Sequence, residues 1–519
     1  MEKHTISTDP ITGEITGYTK ENTVEELNEI VLRAKKAAQG WALLSFEERR
    51  DYLLRVRNYI VDHADQIAGT VSKDTGKTRF DALTTEVSNA AFAIDYYAKN
   101  AKRVLKRKRV KGGSILFLNK FSYIDRVPYG VVGIISPWNY PFSIPFHEVA
   151  MALMAGNAVV LKTAGQTLQT GKLIKEALEH VNLPRDVFTL VNMKGSIAGE
   201  AFINSGIGKL FFTGSVAVGQ ELIKKAADRL LPVSLELGGN DPMIVCNDAD
   251  IYQAVSGALW AGLSNCGQSC AGVERIYVEE DIYNDFISLL KEKLARLRQG
   301  PDIDFNVDIG SLTTAGQLET VKKHVEDAIE KGAKITLGSK PLSDNPLYFR
   351  PVVIENPDDT MLTMCDETFG PVLAIKKVKD TVDAIRQANN SQFGLTASVW
   401  TQNRMKAHAI ASRIEAGAVT INDHLMSHSL AHTPWGGFKS SGLGRTHAEF
   451  GLESMTQPRV VIDDLLPGRR RNMWWYPHDR SVYDGLKGAL NLLYTPSLQR
   501  KFEGAIALVK TFLRSFRAE

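Results

Sequence analysis

Lys209-Leu210-Phe211-Phe212-Thr213-Gly214-Ser215-Val216-Ala217-Val218-Gly219 reads as the end of a strand, a glycine turn and the start of a helix. Glycines in such a turn let backbone amides approach a pyrophosphate, and the helix N-terminus adds partial positive charge. Alone, the G-S-x-x-x-G spacing is weak, because many strand-to-helix turns hold two glycines. Its surroundings decide the fold. Strand-like runs at 131–136, 158–162, 187–192, 209–213, 233–237 and 243–245 alternate with helix-like runs near 144–154, 169–181, 197–203 and 220–229. Such alternation predicts an α/β protein with a mainly parallel sheet covered on both faces. Sheets of this kind bind ligands at the carboxyl ends of their strands. A second alternating set runs from 272 to 419, with helices near 282–297 and 319–331. Two α/β lobes with a functional cleft between them are expected.

The 519 residues suffice for two or more domains with substantial cores. With 44% apolar and 23% charged residues, a mean hydropathy of −0.15 and a net charge of +3, the composition is globular and not that of an obvious polyanion binder. Four cysteines are too few for a disulfide framework and point to a reducing, cytoplasmic setting. Residues 1–14 contain no apolar signal-peptide core. No window reaches the roughly 18 uninterrupted apolar residues of a membrane span, and no internal repeat is found. Asp9-Pro10, Thr12-Gly13 and Gly17 predict turns in a loop or edge structure. Ser45 with Glu48 forms a capping box ahead of Leu53, Ile60 and Ile67 at helical spacing, and a further helix is expected at 81–97. The Lys/Arg-rich run 102–111 reads as a solvated face, without the interleaved aromatics of a nucleic-acid contact. Runs 114–118 and 122–127 flank Asn119-Lys120-Phe121 as a hairpin.

After Asp464 the composition shifts: Leu466-Pro467-Gly468, Arg469-Arg470-Arg471, then Trp474-Trp475-Tyr476. The last segment sets Leu498, Phe502, Ile506, Val509, Leu513 and Phe516 on one helical face, with Arg500, Lys501, Lys510, Arg514 and Arg517 elsewhere. A basic amphipathic helix can lie on a membrane surface. An arm packed on its own domain or on a neighbouring subunit is the alternative.

Three stretches carry chemistry. Asn265-Cys266-Gly267-Gln268-Ser269-Cys270-Ala271-Gly272 sets two cysteines among small, polar, flexible residues, where a thiol can be reached and become a nucleophilic thiolate. Inert packing is the bland reading of both. Ser136-Pro137-Trp138-Asn139-Tyr140-Pro141-Phe142 ends a strand with an amide donor, Asn139, of the kind wanted at a developing oxyanion. Leu235-Glu236-Leu237-Gly238-Gly239-Asn240 ends another with a carboxylate that burial would tune toward a general base.

In this order the chain resembles the aldehyde dehydrogenase superfamily over roughly residues 22–464. The matching motifs are Pro137-Trp138-Asn139, Gly156-Asn157-Ala158-Val159-Val160-Leu161-Lys162, Phe212-Thr213-Gly214-Ser215, Glu236-Leu237-Gly238-Gly239, Gly267-Gln268-Ser269-Cys270, Glu367-Thr368-Phe369-Gly370-Pro371 and Pro434-Trp435-Gly436-Gly437-Phe438-Lys439-Ser440-Ser441-Gly442. The resemblance implies a Rossmann-like cofactor domain at 1–113 and 128–237, completed by about 440–455, and a thiol-bearing catalytic domain at 238–439. It also implies an oligomerisation arm at 114–127 and 456–464, and a homodimer or homotetramer. The basic, aromatic extension 465–519 matches nothing common in the family.

The implied chemistry is NAD(P)-dependent oxidation of an aldehyde to a carboxylic acid. Cys270 would be the nucleophile, with Asn139 and the Cys270 N–H at the oxyanion. Glu236 would activate the water that hydrolyses the thioester. Acyl-to-coenzyme-A relatives generally lack this base. Cys266 falls outside the nucleophile position and reads as structural. For the cofactor, the resemblance points to Lys162 at the adenosine ribose, Gly195 near the adenine, Gly214 and Ser215 at the pyrophosphate, Gly219 and Gly238 among the cofactor-binding residues, Glu367 at the nicotinamide ribose, and Trp138 and Phe369 beside the nicotinamide.

One departure stands out. Many NAD-preferring relatives carry an acidic residue three positions after this lysine, where Gly165 stands here, so a 2′-phosphate would meet no like charge and NADP should be accepted. Substrate identity stays open: the pocket is expected from Phe142, Met151, Trp260, Leu263, residues 264–269 and 423–432. A fatty aldehyde taken at a membrane surface, a semialdehyde, and a non-catalytic binding relative are the alternatives. His424, His428 and His432, spaced by four in a loop, do not match zinc-site spacing, so no metal is expected.

Overall fold

A six-stranded sheet orders Gly442–Leu443, Val233–Glu236, Lys209–Thr213, Val131–Ile135, Ala158–Lys162 and Phe188–Val191. Every neighbouring pair is parallel except the short Gly442–Leu443 edge. Val131–Ile135 and Ala158–Lys162 are buried at every position, as strands between two helical layers must be. Chain order reverses at Val131–Ile135, which pairs with Ala158–Lys162 on one side and Lys209–Thr213 on the other. The crevice at the carboxyl ends there is the ligand position of open α/β sheets. The helix after the glycine turn is Val216–Ala227, with Ser215 at its N-cap. Glu236 lies opposite Gly442, and Leu237 N–H donates to Ser441 O at 3.1 Å, so a late segment of the chain closes the edge at this carboxylate.

A seven-stranded sheet orders Lys334–Leu337, Val352–Glu355, Val372–Val378, Val273–Glu279, Asp241–Val245, Thr396–Trp400 and Ala418–Ile421. It is parallel apart from its Lys334–Leu337 edge. This is the expected α/β architecture. Capping boxes at Thr23 and Ser45 start the helices Val24–Leu43 and Phe46–Asp62, and the N-terminal turns join an antiparallel pair, His4–Thr8 with Ile15–Lys20.

The computed structural model describes residues 3–466, 471–472 and 475–516. Contacts group the chain into two units, one up to Leu105 plus Pro128–Gln457, the other Lys106–Val127 plus the chain from Pro458 onward. Both sheets above belong to the first. Of the residues singled out in the extension, Pro467, Gly468, Arg469, Arg470, Trp474 and Arg517 lie outside the described residues.

Two expectations are corrected. The helix expected at 81–97 is Arg79–Ala82, a π-helical turn Leu83–Val87, then Ser88–Leu105. The hairpin's first strand is Lys108–Val110, not 114–118: Lys108 faces Ile124 and Val110 faces Ser122. Gly112-Gly113 interrupts the extended chain, so the apolar run after it falls into a 3₁₀ turn, Ile115–Phe117. The basic run is therefore a helix end followed by a strand of a three-stranded sheet with Lys120–Pro128 and Thr456–Asp464.

The extension holds two helices, Arg480–Tyr494 and Leu498–Arg514, where one was expected. They meet through small residues: a Cβ on Gly488 would stand 2.6 Å from Gly504 O, and Gly485 lies against Thr511. Their bulky apolar residues face out, with Phe502 70%, Leu498 82% and Tyr494 75% exposed.

Candidate active site

The helix Ile251–Leu263 runs into a tight turn in which Asn265 (φ 52°), Cys266 (φ 55°) and Gly267 (φ 73°) are all left-handed. Two such non-glycine residues cost on the order of 1–3 kcal/mol each and persist only when their surroundings hold them. The Asp81 carboxylate accepts from Ser264 Oγ at 2.7 Å and Asn265 N–H at 3.0 Å. Gln268 Nε2 donates to Asn265 O at 2.9 Å, and Thr313 N–H donates to Gln268 Oε1 at 2.8 Å. Cys266 is fully buried beneath this turn with Gln299 Nε2 at 3.8 Å from its sulfur. Cys270, at the far end, is half-buried.

Asn139 is tied to the same loop. Its Nδ2 donates to Gln268 O at 3.1 Å, while its carbonyl accepts from Asn265 Nδ2 at 3.0 Å and Lys77 Nζ at 2.7 Å. Lys77 and Glu86 form a fully buried ion pair at 2.7 Å. Glu86 Oε2 also accepts from Phe142 N–H at 3.0 Å and Ser143 N–H at 2.8 Å. Glu86 sits in the π-helical turn, a feature common at functional sites. Sequence reasoning missed Lys77, Asp81 and Glu86, because no local signature announces a partner dozens of residues away. Lys77→Met leaves a buried carboxylate unpaired, so a loss of about 3–5 kcal/mol in urea-unfolding stability is expected.

Glu236 ends its strand 9% exposed, and burial pushes its carboxyl up to about 8, against a Trp435 hydrogen bond and the charge of Arg445. Burial, then Glu367, Glu236 and Asp241, push the Cys270 thiol well above its ordinary range. Cys270 opens on two cavities. One, of about 100 Å³, is a channel walled by Tyr140, Ile144, Trp260, Leu425, Met426 and His428. The other, of about 20 Å³, adds Glu236, Glu148, His147 and His447. Phe142 and Met151 were expected in the pocket; both are fully buried, Phe142 against the Phe146 ring at 4.8 Å. The grouping of His424 with His428 and His432 is also corrected. His424 turns inward to Ala271 O at 3.1 Å, and His428 joins His147 and His447.

A crevice of about 960 Å³ at the sheet's switch point is lined by Trp138, Lys162, Gly195 and Gly214. Its donors fit a dinucleotide. Burial draws the Lys162 ammonium down to about 8, and it has no hydrogen bond or ion pair among the described residues. The helix beginning at Val216 carries no side-chain cap and no acidic residue in its first turn, which leaves amides free for an anion. Ser215 is exposed there. Gly219 instead packs on Leu237, where a Cβ would stand 2.5 Å from a methyl, so it serves helix-to-strand closeness. Gly238 lies under Glu367, whose Oε1 accepts from Gly239 N–H at 2.9 Å. Phe369 meets Trp138 edge-to-face at 5.6 Å. Glu274, unforeseen, holds this segment by accepting from Thr368 N–H at 2.9 Å and Phe369 N–H at 2.7 Å.

A thiol and a buried carboxylate on one cavity, near a crevice suited to a dinucleotide, are the parts of a cofactor-linked oxidoreductase. The chain belongs to the aldehyde dehydrogenase family: the model described as "Aldehyde dehydrogenase family" matches residues 2–461. It is 35% identical over 487 residues to a 4,4'-diapolycopene aldehyde oxidase of Methylomonas sp, covering 93% of this chain and 90% of that one. It is 36% identical over 441 residues to a Mycolicibacterium smegmatis protein provisionally named as an NADP-linked succinate-semialdehyde dehydrogenase, covering 85% and 84%. A crystal structure of an E. coli NADP-dependent enzyme superposes with a TM-score of 0.85 at 31% identity, covering 89% of this chain and 95% of that one. The protein is thus an NAD(P)-dependent aldehyde dehydrogenase.

Proposed function

We propose that this enzyme converts its aldehyde to a free carboxylic acid through Cys270, Asn139 and Glu236. The observation that carries this reading is that Cys270 and Glu236 line one cavity while Asn139 is hydrogen-bonded into the thiol loop. Cys270 Sγ adds to the carbonyl carbon, and Asn139 Nδ2–H with the Cys270 N–H holds the oxyanion. Bound in the crevice, the nicotinamide supplies the hydride acceptor. Glu236 then takes a proton from the water that cleaves the Cys270 thioester. A panel of aldehydes differing in length and terminal charge, assayed with both cofactors, tests the reading; absence of NADH or NADPH formation with every member rejects it in favour of a binding relative.

Lys162, Gly195, Gly214 and Ser215 are assigned to the adenosine and pyrophosphate. Trp138, Glu367 and Phe369 are assigned to the nicotinamide end, with Gly219 and Gly238 shaping the turns. NADP is accepted because Gly165 adds no charge beside Lys162. A Cβ at Gly165 meets only the Thr5 methyl, at 3.4 Å, so Gly165→Glu is tolerated and should lower kcat/KM for NADP at least tenfold while sparing NAD. Tenfold or greater preference for NAD in the unaltered enzyme refutes the assignment. The arm, 114–127 with 456–464, joins protomers. Thr456–Asp464 is an edge strand with Val460 and Ile462 58% and 63% exposed, an edge that a second copy would cover. Light scattering should give a dimer or tetramer.

A second reading concerns the substrate. No Lys or Arg is among the described residues lining the channel, so a semialdehyde's distal carboxylate finds no cation there. Trp260 lines both the channel and a neighbouring 660 Å³ groove, whose wall joins Phe80, Leu259, Leu297 and Phe305 to Lys293, Arg296 and Arg298; the groove has room for a long tail. The terminal helix pair is inside-out, small residues within and bulky apolar ones outside, with six basic against three acidic residues between Asp479 and Phe516. No described helix is long and apolar enough to cross a membrane. The pair instead lies on an anionic lipid surface. Deleting 466–519 should abolish co-sedimentation with anionic vesicles and weaken the preference for long chains; if neither changes, this reading fails.

A further inference from the structure

We propose that His147, His428 and His447 form a site for one late first-row divalent cation, zinc above others, and that its occupancy switches the enzyme off. The ring centroids lie 4.1, 4.8 and 5.0 Å apart, and one nitrogen of each ring falls within a set spanning 4.8 Å. All three nitrogens therefore stand within about 2.8 Å of a common point. Movements of less than about 1 Å bring them to the zinc–nitrogen distance of roughly 2.0–2.1 Å. The neighbouring cavity, of about 20 Å³, has the size of one ion or one water.

The donors are those of a metal site. His147 Nε2 and His447 Nδ1 are buried without a hydrogen-bond partner, as is Glu148 Oε2 on the cavity wall. The other nitrogen of His147 sits 3.2 Å from Tyr97 Oη, a partner placed to fix the ring as outer-shell groups do for metal ligands. His147 and His447 stack at 23°, and ligation fans this pair apart. Imidazole donors select zinc and its neighbours over magnesium or calcium.

The consequence follows from the shared wall. Cys270 lines the same cavity. The Cys270 sulfur lies outside the set of atoms within 4.8 Å; its side chain turns into the cavity to complete, as thiolate, the tetrahedron of an ion on three imidazoles, its proton leaves to solvent, and nothing is oxidised or reduced. The inhibition rests on Cys270 being the nucleophile; the binding does not.

Untagged, metal-free enzyme titrated with zinc by calorimetry, and with cobalt(II) as a spectroscopic probe, tests both halves. The expected results are one equivalent bound per chain, visible d–d bands with a near-ultraviolet sulfur-to-cobalt band, and at least tenfold loss of NAD(P)H formation at one equivalent of zinc, restored by a chelator. In Cys270→Ser the sulfur band vanishes and the d–d bands stay. The double variant His147→Phe, His447→Leu loses stoichiometric binding. Absence of binding in the unaltered enzyme, absence of d–d bands in Cys270→Ser, or full binding by the double variant overturns the site. Binding without inhibition overturns the switch.

Discussion

Cys270→Ser is expected to lower kcat/KM for aldehyde oxidation by at least about 10³-fold, since the covalent step loses its nucleophile and the remaining groups act only with it. The exchange of one atom for a smaller one is nearly isosteric at a half-buried position, and the turn that carries it is held by Asp81, Asn265 and Gln268, not by the sulfur. Folding and cofactor binding should survive, which fluorescence quenching by NADPH checks in the same sample. A hydroxyl is far less acidic than a thiol, and burial, with the surrounding carboxylates, already opposes ionisation of the thiol itself. A serine enzyme that keeps a tenth of the activity would remove Cys270 from the mechanism.

Glu236→Gln should separate the two halves of the reaction. Acylation continues, giving a burst of about one equivalent of reduced cofactor, and then turnover stalls because nothing activates the hydrolytic water. Steady-state kcat should fall about 10²–10⁴-fold, the usual worth of a positioned base. The base works only when ionised. Burial lifts this carboxyl to about 8, so hydrolysis in the unaltered enzyme should accelerate as pH rises through about 8 and level off above it. The glutamine enzyme should show no such rise. Stopped-flow traces across that range decide the matter, and an unchanged steady state with no burst would assign the water to another group.

Most of the site was legible where chemistry and backbone geometry coincide. Gly214, Asn139 and Glu236 each end or follow a strand, and Cys270 lies in the turn between a helix and a strand, so periodicity and turn residues located them. Their support was not legible. Lys77, in the loop after a helix, reaches the Asn139 carbonyl across 62 residues; Glu86, in the π-turn, reaches Phe142 and Ser143 across 56 and 57, and Glu274 reaches Phe369 across 95 residues. Pairings of this range depend on tertiary packing alone. The misplaced hairpin strand has a different cause. Apolarity favoured 114–118, but the strand pairing took Lys108–Val110, because the two glycines set the turn after it. His428 was grouped by spacing with its chain neighbours, yet packing gave it partners from a distant helix and loop.

The edge strand Gly442–Leu443 fixes the order in which the enzyme comes alive. It pairs with Glu236 only after more than two hundred further residues have left the ribosome. Until then a nascent chain can bear its thiol yet lack a finished edge beside the carboxylate that would discharge it. On the proposed role of Glu236, competence to release product waits on this late pairing.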